Sequence, residues 1–187
     1  MIGTIFTPDC YKIITLFSVS PGSRFNRSEI KSKVYLNNVP LDKALQQLLG
    51  SGIMHRERNY YSLNFEHHYT SRLIDICSKQ YKQLRELPLA VFYLLVDLNN
   101  DLAMFKGIEL FLFGSYAKVI YKDSSDIDLA LVHTEKVDIK KVNRLVSQAE
   151  KKYGKKVEIH FFEAQSFYKN KQDTLVKSIL KDGVRLI

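Results

Sequence analysis

Cysteine is scarce in this 187-residue chain: Cys10 and Cys77 are the only two, each inside an apolar helical pattern and neither in a Cys-x-x-Cys or Cys/His spacing. That excludes a disulfide scaffold and a zinc module, and both thiols read as reduced packing residues. Apolar runs are short as well. None approaches the roughly 18 to 20 residues needed to span a bilayer, and residues 1–10 lack the basic start and apolar stretch of a secretory signal. A cytoplasmic protein without a membrane partner is expected. Internal repeats and low-complexity tracts are missing too.

What is present is the composition of a globular chain, with 45% hydrophobic, 12% aromatic and 26% charged residues. Disorder and fibrous folds are excluded, and 187 residues leave room for one domain or two small ones. Lysine and arginine outnumber acids 28 to 20, a net charge of +8. An excess of that sign favours a polyanionic partner such as nucleic acid or a nucleoside triphosphate (NTP).

Hydrophobic periodicity divides the chain. Residues 9–18 place Ile13, Ile14, Leu16 and Phe17 on one helical stripe, and Pro21-Gly22-Ser23 ends it. A second helix is expected to start near Asn26 to Ser28. A third starts at Pro40 and turns Leu41, Leu45, Leu48 and Leu49 inward until Gly50-Ser51-Gly52. Residues 53–58 and 60–65 then read as a β-hairpin. Helical spacing returns over 70–86, and Pro88 opens a further helix to about Phe105. Beyond Gly107 the order is strand (108–113), turn, strand (127–132), helix (138–153), strand (156–162) and helix (172–181). The expected fold class is α+β, with domains at 1–69 and 88–187 joined by a linker helix at 70–87.

The second half carries the chemistry. Alternation along a strand projects Asp126 and Asp128 from one side while Ile127, Leu129 and Leu131 enter the core. Two such carboxylates repel each other unless a cation neutralises them, and oxygen donors suit Mg²⁺ or Mn²⁺. Glu158, between Val157 and Ile159, repeats the pattern. If the strands are neighbours, three carboxylates converge and can serve in-line phosphoryl transfer. Gly114 and Ser115 follow the strand ending at Phe113, and their backbone N–H groups, the Ser115 hydroxyl and the Lys118 charge can address a triphosphate.

Gly114-Ser115, then Asp126-Ile127-Asp128, then Glu158 on a later strand resemble the DNA polymerase β-like nucleotidyltransferase superfamily, most closely its minimal branch, from about Leu87 to Ile187. The resemblance implies a mixed sheet closed by a helix and strand within 180–186. It also implies metal binding and catalysis by Asp126, Asp128 and Glu158, and nucleotide binding by Gly114, Ser115 and Lys118. The implied reaction moves a nucleoside monophosphate from an NTP to an acceptor hydroxyl of a protein, small molecule or RNA end. One departure stands out: where the family has a small residue, a basic residue and glycine, this chain has Ala117-Lys118-Val119. Lysine lacks arginine's bidentate grip, and valine does not freely adopt positive φ.

The helix, helix, helix, hairpin order before it resembles winged helix-turn-helix domains over about Thr7 to Tyr69. That resemblance implies duplex DNA as a partner. Asn38, Lys43, Gln46 and Gln47 would face the major groove, and Arg56 and Arg58 would reach phosphate from the wing. A homodimer is expected if the target is a palindrome. The alternative reading is a DNA-binding regulator or antitoxin-like protein whose second domain is a nucleotide sensor or dimerisation module.

Overall fold

The computed structural model describes residues 2–79, 84 and 86–187. The chain separates into two compact units, 1–82 and 83–187.

In the first unit, a 3₁₀ turn at Ile2–Ile5 precedes α1 (Pro8–Val19). The Thr7 side chain caps α1 by accepting from the Cys10 N–H, and Pro8 occupies the first turn, where its missing N–H costs nothing. Asn26 caps α2 (Arg27–Val34) through a complete capping box: its side chain accepts from the Glu29 N–H, and Glu29 accepts from the Asn26 N–H. Helix α3 (Asn38–Gly50) begins two residues before Pro40 and buries Leu41, Ala44, Leu45 and Leu48. Proline at the third position is compatible with that start, because the first N–H groups of a helix have no intrahelical acceptor. A three-stranded antiparallel sheet, β1 (Phe25–Asn26), β3 (Tyr60–Leu63) and β2 (Met54–Glu57) in that order, completes the hairpin. The two-residue β1 was not apparent from the sequence.

Helix α4 (Thr70–Lys79) packs on α1 within this unit, with Cys77 buried. The unit therefore extends into the segment read as a linker helix. Residues 80–83 and 85 of that segment lie outside the described residues. Burial pushes the Cys77 thiol up to about 11 and raises Cys10 as well, so both stay protonated and act as packing groups.

The second unit opens with α5 (Leu89–Leu102), which is apolar along most of its length and packs on α7 (Ile139–Tyr153). Its sheet runs β6 (Val157–Glu163), β5 (Ile127–His133), β4 (Ile108–Phe113), β7 (Val184–Arg185). The β5/β6 pair is parallel and crosses over through α7, whereas β4 runs antiparallel to both β5 and β7. The sheet is mixed and the architecture α+β. Phe111, Phe113, Ala130 and Val132 on one face pack with Phe167 of α8 (Ala164–Lys169) and with Val176 and Ile179 of α9 (Thr174–Asp182). Leu110, Leu112, Leu129 and Leu131 alternate onto the other face and are fully buried. Because both faces are apolar and buried, hydrophobic alternation alone does not set the register of these strands; the packing of the two side-chain sets against different elements does. That register is what places the polar residues at the start of β5.

Candidate active site

Strand β5 begins immediately after Asp126, and Asp128 stands opposite Phe113 on β4 and opposite Glu158 on the parallel β6. The neighbouring-strand arrangement anticipated for the acids is thus present, with Asp126 and Glu158 exposed and Asp128 half-buried. Burial raises the Asp128 carboxyl above its ordinary range; Glu158 and Asp126 raise it further, and His160 opposes them. The negative charges act on one another without a full counterbalance.

Gly114 begins the one-turn α6 (Gly114–Ala117) in a left-handed conformation, φ +70°. A β-carbon here would lie 2.0 Å from Asp128 Oδ2, so glycine is required both for its backbone conformation and for the carboxylate beside it. Ser115 follows, half-buried.

The far end of α6 explains the departure at position 119. The Ile120 N–H donates to the Ser115 carbonyl at 3.0 Å and the Val119 N–H to the Tyr116 carbonyl at 3.3 Å, the pair of bonds that defines a Schellman motif. Such a motif needs a left-handed residue, and Val119 supplies it with φ 56°. Valine therefore adopts the conformation that glycine would adopt, at the steric cost of a β-branched side chain.

Lys118 does not stand free beside the turn. Its Nζ lies 3.0 Å from Oδ2 of Asp182, at the end of α9. Glu158 also has a partner: its Oε1 lies 3.3 Å from His160 Nε2. Among the described residues, no group of three or more His, Cys, Asp or Glu side chains is gathered to hold a metal ion. The donor set still fits a hard divalent cation in its chemistry. Asp126, Asp128 and Glu158 are oxygen donors at one end of adjacent strands, and their mutual repulsion is written into the raised Asp128 carboxyl.

Asp182 and His160 are the additions to the expected set. His160 had a signal, because it shares a strand face with Glu158. Asp182 had none, since only the packing of α9 brings it to Lys118.

In the first unit, Lys43 and Gln46 are exposed on α3, whereas the Gln47 Oε1 accepts from the Cys10 thiol and so turns toward α1. Arg27 reaches across from α2 to grip Asp42 with two nitrogens and also donates to the Asn38 side chain. Arg56 and Arg58 are exposed around the β2–β3 turn. The Arg56 Nε donates to the Arg58 carbonyl, and its guanidinium lies over the Tyr61 ring at 5.4 Å.

No helix among the described residues is long and apolar enough to cross a membrane. Comparison with curated proteins finds no match. Residues 98–187, which contain every residue of the carboxylate site and the Gly114 turn, match the family described as polymerase beta, nucleotidyltransferase, and this supports nucleotidyl transfer, in general terms, as the chemistry of the second unit.

Proposed function

We propose that the second unit transfers a nucleoside monophosphate from an NTP to an acceptor hydroxyl. The observation that carries this reading is the register pair Asp128 and Glu158, preceded by Asp126 and flanked by a left-handed glycine whose missing β-carbon leaves room for the Asp128 carboxylate. Asp126, Asp128 and Glu158 would hold Mg²⁺ or Mn²⁺, which would supply charge neutralisation for the reacting phosphates and orient them. Gly114 and Ser115 bind the β and γ phosphates through backbone N–H groups and the hydroxyl, and Lys118 adds a point charge after exchanging Asp182 for phosphate. The acceptor oxygen forms its bond to the α-phosphorus. The bond between that phosphorus and the α,β-bridging oxygen breaks, and pyrophosphate leaves with the electron pair. Glu158, exposed on β6, takes the acceptor proton.

The first unit is read as a winged helix-turn-helix that binds duplex DNA. The helix order, the antiparallel hairpin and the exposed Lys43, Gln46, Arg56 and Arg58 support it. The regulator reading, in which the second unit senses nucleotide and turns over little, draws on two observations: Lys118 is engaged by Asp182, and a strained valine shapes the phosphate turn. Incubation of the protein with α-labelled NTPs, Mg²⁺ and cell extract separates the two. Label transfer to any acceptor supports the enzyme. NTP binding without transfer supports the sensor.

A further inference from the structure

One acid of the site has a partner outside the carboxylate set. Asp128 and Glu158 are register partners on adjacent parallel strands, where side chains on one face meet directly. Yet the Glu158 carboxylate lies against His160 Nε2, two residues along its own strand, at 3.3 Å. His160 is held in place to receive it. Its ring packs against that of Phe113 at 5.6 Å between centroids, and Phe113 belongs to the buried core of the unit. Three neighbouring carboxylates repel one another, and a contact with the imidazole offsets part of that repulsion.

We propose that His160 is a latch: it holds the Glu158 carboxylate until a divalent cation competes for it. The inference rests on the metal-dependent reading above and adds a residue to it. His160 is a positioning residue that acts through Glu158 and touches neither substrate nor cation. Cation entry then exchanges one contact, His160 with Glu158, for another, the cation with Glu158. The cation is therefore held less tightly than it would be by a Glu158 that His160 did not engage.

The experiment is a titration of the full-length protein with Mn²⁺ alone, at one fixed pH, followed by electron paramagnetic resonance of the free ion. H160A should bind Mn²⁺ about two- to fivefold more tightly than the native protein, the span expected for losing one partly exposed hydrogen-bonding contact of about 0.5 to 1 kcal/mol. H160Q, whose amide nitrogen reaches Glu158 much as Nε2 does, should bind as the native protein does. H160F keeps an aromatic ring on Phe113 without the nitrogen and should match H160A, which guards against a folding defect in the alanine variant. Unchanged or weaker binding by both H160A and H160F, with binding abolished in D126N/D128N, would overturn the latch and leave the metal reading standing. No Mn²⁺ binding by the native protein would overturn both.

Discussion

Val119 offers the most quantitative test of the turn beside the acids. It closes α6 with φ 56°, in the left-handed region where an L-residue with a β-carbon pays about 1 to 2 kcal/mol. Replacement by glycine removes that strain but also removes side-chain contacts, since Val119 is only 39% exposed, and it loosens the unfolded chain. Comparison with V119A isolates the backbone effect: both variants lose nearly the same contacts, and only alanine keeps the left-handed penalty. V119G should therefore be more stable than V119A by about 1 kcal/mol, the reverse of their order inside a helix, where alanine is favoured by about the same amount. For a unit of this size that is a difference of about 4 to 8 °C in Tm. Thermal and urea unfolding of the three proteins measure it. V119A equal to or more stable than V119G would refute the strain. The same strain bears on function. V119G combined with K118R should lower KM for NTP more than it raises kcat, because the turn and the cation act on ground-state grip while the acids act on the transition state.

D126N/D128N should weaken metal-dependent ATP binding by more than about 100-fold by calorimetry, since even groups outside the ligand shell are worth ten- to hundredfold. It should also raise the Tm of the metal-free protein at neutral pH. The folded-state Asp128 carboxyl lies above its ordinary value of 3.8, so its protonated form favours the fold. That contribution is complete below the ordinary value and is lost as pH rises through the raised one. The Tm gain of the double variant should therefore shrink as the pH is lowered toward 3.8, and a gain independent of pH would contradict the assignment. G114A should lose nucleotide binding and unfold at lower temperature, because its β-carbon would meet Asp128 Oδ2; a stable G114A with native affinity would remove the turn from the site. R56A/R58A should weaken duplex DNA binding across all sequences and make its salt slope shallower by about one to two units, at about 0.9 per lost phosphate contact. Q46A should instead relax preference at one or two base pairs. A salt slope unchanged in R56A/R58A would take the wing out of the interface.

Much of the second unit was legible because its strands are apolar enough to announce themselves. The run 108–113 coincides with β4, and β5 starts at Ile127 as expected, since an Asp-x-Asp leading into four apolar residues has few other ways to fold. The acids were legible for the same reason. Short elements were not: β1, α6 and α8 span two to six residues, too few for a period to show, and tertiary contacts hold them. The start of α2 fell where it was expected, at its capping box, whereas α3 began two residues before Pro40. The partners of Lys118 and Glu158 were hidden for two different reasons. Asp182 comes from a distant helix, whereas His160 lies on the same strand as Glu158, where sequence alone does not separate a packed histidine from a partner of the acid, and its contacts with Phe113 and Glu158 make it both.

The central claim is that the carboxylates at the start of β5 and on β6 perform nucleotidyl transfer. The direct measurement is transfer of label from α-labelled NTPs, in the presence of Mg²⁺ or Mn²⁺ and cell extract, by the native protein and by D126N/D128N side by side. The account predicts metal-dependent labelling of an acceptor by the native protein and none by the double variant. Equal labelling by the two proteins, or none by the native protein at saturating NTP, would contradict it.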